Sequence, residues 1–266
     1  MGAALITDVG VVSDPGAAES AVIAAPGSSF TVRNFSTNDT AELVELTRKG
    51  ATAGIVRVRS PKLSDNLQGI RYAVGVGEQS FLLQRELLQG LYPQDPLTVE
   101  VTGGATEYDG AAISTYYDNL PGISQRLHMP GDFSSITKFV DSWQVTVDAG
   151  ATVGNWGTAL INSFYNVIPN NTDIAVLGYV VDAACLAVAI NGVATGNEYL
   201  GGPGDTSAYR TRNYFADLSK DIGKPCVPVL NTGDSSAINI AVSDVAASTA
   251  VNVTLVVAIL NQLVTP

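Results

Sequence analysis

The sequence offers few residues whose type and spacing could support catalysis. His128 is the only histidine, and it stands next to Met129 and Pro130 in a stretch without clear periodicity. A serine hydrolase triad would have to use this histidine, yet the sequence lacks the G-x-S-x-G turn that exposes such a nucleophile. With one His and two Cys, a metal centre built from several such ligands is excluded by number. We therefore predict that His128 is an ordinary surface residue.

Carboxylates are the next candidates for chemistry. Asp217 and Asp221 stand one turn apart in a predicted helix, and Glu42 and Glu45 have a similar spacing. A glycoside hydrolase needs two carboxylates on opposite sides of a cleft, with separated pKa values, and spacing along the chain does not show such a cleft. Solvated helix faces are the simpler interpretation of both pairs.

Glycine motifs and aromatic residues suggest binding rather than catalysis. The runs Gly75-x-Gly77 and Gly201-Gly202-x-Gly204 lack the strand, the helix and the downstream acid of a dinucleotide site, so we interpret them as turn glycines. Aromatic side chains could stack on sugars, although such residues in β-sandwiches more often fill the core or contact other subunits. The aromatic candidates are Tyr116, Tyr117, Trp143 and Trp156.

The two cysteines, Cys185 and Cys226, are too few for a disulfide framework and too far apart for a metal motif. Each lies in an apolar run, where a thiol behaves as a small hydrophobic group. We predict two buried thiols without a disulfide between them.

Composition and charge narrow the possible functions further. The chain has 266 residues and a net charge of −11, and 15% of its residues are charged, against about 25% in typical domains. Lysine and arginine form no stripe, which argues against a broad nucleic-acid-binding surface. No Asp-rich loop has EF-hand spacing. We expect no metal and no cofactor.

One stretch, Thr206 to Leu230, indicates how the chain is built. It predicts an amphipathic helix capped by Thr206 or Ser207 and ended by Gly223 and Pro225, and then the strand Cys226 to Leu230. The apolar face of this helix would consist of Tyr214, Phe215, Leu218 and Ile222.

A similar order occurs earlier, from Ser80 to Val101. There Ser80 is the predicted helix cap, Gly90 and Pro93 end the helix, and the strand Leu97 to Val101 alternates apolar and polar residues. We interpret the two stretches as equivalent parts of a duplicated architecture. The predicted organisation is an N-terminal arm (residues 1–25), a first unit (26–120), a connecting segment (121–140) and a second unit (141–266).

An apolar window, Ile174 to Val193, has about the length of the roughly 20 residues that cross a bilayer. Asp182 lies near its middle, where a charge is costly inside a membrane. We therefore predict two buried strands that are joined near Asp182, rather than a membrane span.

This paired arrangement resembles the double jelly-roll major capsid proteins of non-tailed, membrane-containing icosahedral phages and viruses. The resemblance rests on the units Ser80 to Val101 and Thr206 to Leu230, on the strands that close each half, and on the Gly-, Ala-, Val- and Thr-rich composition. It implies an all-β fold of two consecutive jelly-roll β-sandwiches, each with one inserted amphipathic helix.

The resemblance also implies a function and partners. Three copies would form a pseudo-hexagonal capsomer of an icosahedral virion, in contact with neighbouring capsomers, penton and minor capsid proteins and an internal lipid membrane, after assembly in the host cytoplasm. It implies no catalysis and no cofactor. The arm, residues 1–25, would reach inward to a neighbour or to the membrane.

Two other functions stay open at this point. A β-sandwich receptor- or carbohydrate-binding module would need an exposed aromatic groove, for which Trp143 and Trp156 are the nearest candidates. A carboxylate-dependent glycoside hydrolase would need two Asp or Glu side chains that converge in a pocket.

Overall fold

A computed structural model describes residues 2–13, 29–62, 69–82, 90–103, 108–123, 125–161, 168–206, 211–233 and 238–261. The described residues are mostly in antiparallel strands, and they contain one α-helix, which confirms the all-β class. The strands of the first half are β1 (Gly2–Ser13), β2 (Ser29–Val32), β3 (Glu42–Gly50), β4 (Gly54–Arg59), β5 (Ile70–Val74), β6 (Gly77–Leu82), β7 (Leu97–Val101) and β8 (Tyr108–Leu120).

The second half begins with a two-residue strand and continues with eight longer strands and one α-helix. These are β9 (Leu127–His128), β10 (Thr137–Asp148), β11 (Gly157–Leu160), β12 (Asp173–Val181), β13 (Cys185–Asn191), β14 (Leu200–Gly204), the helix α1 (Tyr214–Ile222), β15 (Val227–Asn231), β16 (Asn239–Ser243) and β17 (Ala250–Leu260).

Both halves have the same strand order. In the first half the sheets are β1-β8-β3-β6 and β2-β7-β4-β5. In the second half they are β10-β17-β12-β15, extended by β9, and β11-β16-β13-β14. If the eight main strands of each half are counted from one to eight, the orders are 1-8-3-6 and 2-7-4-5 both times. Two facing four-stranded antiparallel sheets of this kind form a jelly roll. The prediction of two consecutive jelly rolls is therefore confirmed.

Alternating side chains explain why each sandwich closes around a core. Along β10, Trp143, Val145 and Val147 are buried while Gln144 and Thr146 between them are exposed. A strand with one face in the core and one in water has this period of two. The predicted strand Leu97 to Val101 has the same bounds as β7, and Leu97, Val99 and Val101 are buried in it. Glu100 is buried as well and forms an ion pair with Arg57 of β4.

The helix α1 follows the predicted pattern with a shifted beginning. Its first cap is Asn213, not Thr206 or Ser207, and Ser207 lies outside the described residues. Gly223 ends the helix with a left-handed φ of 70°, as glycine allows. The buried side chains include Tyr214, Phe215, Leu218 and Ile222 and pack on β12 and β15.

The N-terminal arm is a wrong prediction for residues 2–13. These residues form β1, which pairs with β8 from Gly2 to Ser13 and places Ala4 and Ile6 in the first core. Leu5, between them, is also fully buried, because the second sandwich covers the other face of the strand. A strand that is buried on both faces lacks the alternation on which the prediction depended. Residues 14–25 lie outside the described part of the chain.

The equivalence of the two helix-containing stretches is also wrong. Ser80, the predicted cap of the first helix, belongs to β6, and residues 83–89, on which that helix was predicted, lie outside the described residues. The earlier stretch connects β6 to β7, the sixth and seventh strands of its sandwich. The later one connects β14 to β15, the fifth and sixth. The two halves share one strand order, but the two stretches do not occupy equivalent positions in it.

Two further predictions concern a glycine-rich run and the apolar window of the second half. The run at 201–204, whose residues were interpreted as turn glycines, forms the edge strand β14, so that interpretation is wrong. The apolar window contains β12 and β13, which confirms the two buried strands. Within the described ranges, no helix has both the length and the apolar character to cross a membrane.

Candidate functional site

His128 lies in a short strand and packs against an aromatic ring. It lies in β9, which pairs with β15, and its ring meets the ring of Phe133 edge to face at 5.8 Å. Its side chain is 17% exposed, and its Nδ1 atom lies 3.8 Å from Oδ2 of Asp132. Burial lowers the pKa of His128, and the nearby Asp132 only partly offsets this effect. His128 is therefore in a strand and more buried than predicted.

The two predicted carboxylate pairs lie on different elements, α1 and β3. Asp217 is half exposed on α1 and accepts a hydrogen bond from Lys220 at 3.1 Å. Glu42 and Glu45 lie on β3, a strand with a register shift between Leu43 and Glu45, and not on a helix. The helical interpretation is thus wrong for this second pair.

The cysteines behave as predicted. Both side chains are buried, and no disulfide joins Cys185 to Cys226. Burial raises the pKa of the Cys226 thiol to about 12, and the nearby Lys224 opposes this shift. Since the thiolate is the reactive form, a thiol with this pKa is unreactive at neutral pH.

Three of the four aromatic candidates are in the interior. Trp143, Tyr116 and Tyr117 are 1%, 1% and 3% exposed. The Trp143 indole donates its N–H to Asp141 at 3.2 Å. Trp156, by contrast, is half-buried and lies where the two sandwiches meet.

The junction between the sandwiches is a packed interface, which we call the seam. The strands β13 and β14 of the second sandwich pack against β1, β3 and β8 of the first. Leu5, Val44 and Tyr116 belong to the first sandwich but are buried in the hydrophobic core of the second. The approach is close, because a Cβ atom added at Gly110 would lie 2.8 Å from Cδ2 of Leu186. Such packing favours one fixed arrangement of the two halves.

Buried polar groups in the seam are paired across it. Thr7 donates its backbone N–H to the carbonyl of Tyr199 at 2.7 Å and its hydroxyl to the carbonyl of Gly201 at 2.9 Å. Gln125 accepts from the Leu5 N–H at 2.8 Å and donates to the carbonyl of Thr195 at 3.2 Å. Satisfied buried groups of this kind make an interface specific, since any shift would leave them unpaired.

Charged groups also cross the seam. The Lys49 ammonium contacts Oδ1 of Asp244 and the carbonyl of Ala184, both at 2.7 Å. Lys224, just after α1, contacts Glu42 at 2.7 Å and Asp118 at 2.6 Å. Burial lowers the pKa of Lys224, but its hydrogen bonds to these two carboxylates outweigh burial, and the net shift is upward.

Tyr214, the first residue of α1, also lies at the seam. Burial raises the pKa of Tyr214 well above its usual value, and the nearby Glu45 carboxyl on β3 adds to this shift. A Cβ atom added at Gly202 would lie 2.2 Å from Cζ of Tyr214, so the ring packs directly on β14. The Tyr214 ring thus leaves no room for a side chain at position 202 of β14.

The seam opens at one end into a cleft of about 470 Å³. Its walls come from both sandwiches and consist of Asp8, Val9, Arg33, Gly154, Asn155, Trp156 and Tyr199. The rings of Trp156 and Tyr199 stack in parallel, with centroids 4.5 Å apart and an interplanar angle of 10°.

One arginine connects the two walls of this cleft. Arg33 donates to Asp8 at 2.6 Å and to Glu198 at 3.1 Å, and its side chain is 48% exposed. Burial raises the pKa of Asp8 despite the opposing effect of Arg33. Burial lowers the pKa of Arg33, but the two carboxylates outweigh it and raise the pKa overall.

Sequence reasoning found Trp156 but missed its neighbours in the cleft. Asp8 was assigned to an arm, and Arg33 and Tyr199 stand in no motif. These residues are brought together by the seam, which no spacing along the chain reveals. Within the described ranges, no group of three or more His, Cys, Asp or Glu side chains could hold a metal ion.

Comparisons with known proteins give no family. No family model matches the chain, and no curated protein matches it. Among solved structures it is similar to the major capsid protein P2 from bacteriophage PM2, at 12% identity over 97% of both chains with a TM-score of 0.25.

It is also similar to PNGase F, a glycosylasparaginase from Flavobacterium meningosepticum, at 12% identity over 97% of both chains with a TM-score of 0.23. A further similar structure is the PBSX exported protein XepA, at 8% identity over 96% of this chain and 86% of that one, with a TM-score of 0.25. Identities and TM-scores as low as these assign no function to this chain.

Proposed function

We propose that this chain is a structural subunit of an icosahedral virion, a major capsid protein that assembles as a homotrimer with a pseudo-hexagonal outline. The observation that carries the proposal is the repeated strand order. Two sandwiches with the orders 1-8-3-6 and 2-7-4-5 lie in one chain and are joined by a closely packed seam. Jelly rolls of eight strands occur in viral capsid proteins and in lectins.

The seam supports a ring of such units. It joins the outer face of β1, β8 and β3 to the strands β13 and β14. The corresponding face of the second sandwich consists of β10, β17 and β12, and the strands that correspond to β13 and β14 are β4 and β5 of the first. If the second sandwich of one copy met β4 and β5 of the next, the same kind of contact would repeat, and three copies would close a ring of six sandwiches.

The part of this face that β10 forms is accessible in the single chain. On β10, Val140 is 57% exposed, and Ser142, Gln144 and Thr146 are exposed beside it. These four positions are uncharged, and the exposed charged residues of β10, Lys138 and Asp148, lie toward its two ends. Depletion of charge is typical of the centre of protein–protein interfaces.

The proposal includes no catalytic activity. Asp8 and Glu198 at the cleft both accept hydrogen bonds from Arg33, which favours a fixed ion-paired network over a pair of carboxylates that exchange protons. Neighbouring capsomers, penton and minor capsid proteins and an internal membrane are the partners that a capsid role would require, and the virion is the corresponding location.

The experiment that tests this proposal measures mass and shape. The purified protein is examined by size-exclusion chromatography with light scattering and by negative-stain microscopy. We expect a species of three times the 27.6 kDa chain mass, with a six-lobed outline. A protein that stays monomeric at all concentrations, or that forms dimers, would contradict the proposal.

A matched pair of variants tests the proposed face. Gln144→Arg places a charge on the exposed side of β10 and should convert trimers to monomers without loss of the circular dichroism spectrum. Ala151→Arg places the same charge in the exposed loop after β10 and should leave the trimer intact. Equal behaviour of the two variants would mean that copies meet through another face.

A further inference from the structure

The cleft at the end of the seam has the lining of a ligand site. Its volume of about 470 Å³ falls in the range of roughly 300–1,000 Å³ that is common for small-molecule sites. Two aromatic rings, one arginine, one carboxylate and one amide border it, and they come from both sandwiches. We propose that this cleft binds a neutral saccharide.

The aromatic pair supplies the apolar part of such a site. Trp156 and Tyr199 are stacked and half-buried, so each ring is fixed by the other and still borders the cleft. A sugar ring has an apolar face of C–H groups, and an aromatic side chain combines an apolar surface with a polar tip. Stacked rings held at this junction would offer a rigid surface against which that C–H face can pack.

The polar groups can satisfy the hydroxyl groups of a sugar. Arg33 lines the cleft and is bound by Asp8 and Glu198, while about half of its side chain stays exposed and accessible to a ligand. The exposed Asn155 side chain carries both donors and an acceptor. A few fixed polar groups beside an apolar wall are what small-ligand sites use to set orientation.

The loop that carries Trp156 is fixed before any ligand binds. Gly154 donates its N–H to the carbonyl of Asp244 at 2.9 Å and accepts from the Ser243 hydroxyl at 3.0 Å. Its φ of 79° and its close approach to Val11 both require glycine at this position. A preformed site loses little conformational entropy on binding, which favours measurable affinity for a small ligand.

The charges at the cleft select a neutral ligand over an acidic one. Among the described residues that line the cleft, Arg33 is the one cation, and Asp8 and Glu198 are bound to it. This group of three carries a net negative charge, as does the whole chain at −11. An acidic sugar would be repelled, whereas hydroxyl groups can both donate to the carboxylates and accept from the guanidinium.

Tryptophan fluorescence provides the test. The chain has two tryptophans, and Trp143 is 1% exposed, so quenching by added sugar reports on Trp156. The probes are the methyl glycosides of glucose, galactose, mannose and N-acetylglucosamine, with sialic acid as the acidic comparison. We expect a saturable response to at least one neutral glycoside and a weaker response to sialic acid.

Variants locate the binding. Binding to Trp156→Ala and Arg33→Gln is followed by saturation-transfer NMR, and each should weaken the affinity about tenfold or more, which corresponds to about 1.4 kcal/mol. Phe139→Ala removes an exposed aromatic side chain on β10, outside the cleft, and should leave the affinity unchanged. If Trp156→Ala does not fold, the partly exposed Arg33 still provides a variant that does not depend on core packing.

Two results would overturn the proposal. One is the absence of a saturable response to every neutral glycoside with natively folded protein. The other is unchanged affinity in Arg33→Gln. Because all lining residues belong to one chain, the titration can succeed or fail whether or not the protein forms trimers.

Discussion

Lys49, which forms an ion pair across the seam, should contribute several times as much to the free energy of unfolding as a lysine on the surface. Lys49→Met removes the ammonium that bonds Asp244 and the carbonyl of Ala184. Asp244 is 2% exposed on its side chain, so its carboxylate would be left in the interior without its cation. Breaking a fully buried pair costs roughly 3–5 kcal/mol.

The Lys49 side chain is itself 19% exposed, which places this pair between the buried and surface classes. We therefore expect a loss of about 2–3 kcal/mol in the free energy of unfolding. At about 2–4 °C per kcal/mol for a chain of this size, the melting temperature should fall by about 4–12 °C. The assay is thermal unfolding followed by circular dichroism and by Trp fluorescence.

Lys220→Met is the matched control. Lys220 and its partner Asp217 are 65% and 52% exposed, so this pair should contribute at most about 0.5 kcal/mol. Adding Asp244→Asn to Lys49→Met removes the stranded charge and should recover part of the loss. Equal effects of the two lysine variants, or no recovery in the double variant, would refute the reasoning that the seam depends on this charge pair.

Two further predictions concern the elements around α1. Because the folded chain raises the pKa of Lys224 above 10.5, its stabilising effect is complete below that value and is lost as the pH rises through the folded pKa. The melting temperature of the wild type should thus exceed that of Lys224→Met most at about pH 9, and this difference should shrink toward about pH 12. A difference that does not change with pH would contradict this prediction. Gly178→Ala places a Cβ 2.4 Å from the carbonyl oxygen of Thr211, in the segment that enters α1, and should cost about 1–3 kcal/mol in denaturant unfolding. Gly131→Ala, where nothing lies within 4 Å of the added Cβ, should change the stability by less than about 0.5 kcal/mol, and similar costs at both sites would show that the contact is not tight.

Strands in which apolar and polar residues alternate could be predicted from the sequence, because successive side chains of a strand point to opposite faces of the sheet. The strand predicted from Leu97 to Val101 has the same bounds in the structure. β1 and β14 were missed for a shared reason. The second sandwich buries the outer face of β1, and the ring of Tyr214 lies on Gly202 in β14. Contacts with remote parts of the chain therefore removed the local pattern at both strands.

The candidate site was predictable only in part for a related reason. Trp156 could be singled out as an aromatic residue, but its meeting with Tyr199 and Arg33 depends on how the two sandwiches dock. The duplication was predicted correctly as a repeated jelly roll, yet from two stretches that occupy different places in it. Strand order is set by pairing over long distances, which local helix and turn signals do not encode.

The order in which the chain is synthesised gives the seam another consequence. The first sandwich is complete once β8 has been made and has paired with β1, when more than half of the chain is still to be translated. Until the second sandwich follows, Leu5, Val44 and Tyr116 have no cover, and a nascent β-sandwich emerges from the ribosome with an apolar patch facing water. Exposed surfaces of this kind lead newly made chains to aggregate. The first half of this protein is therefore expected to need a chaperone or its own second half in order to stay in solution.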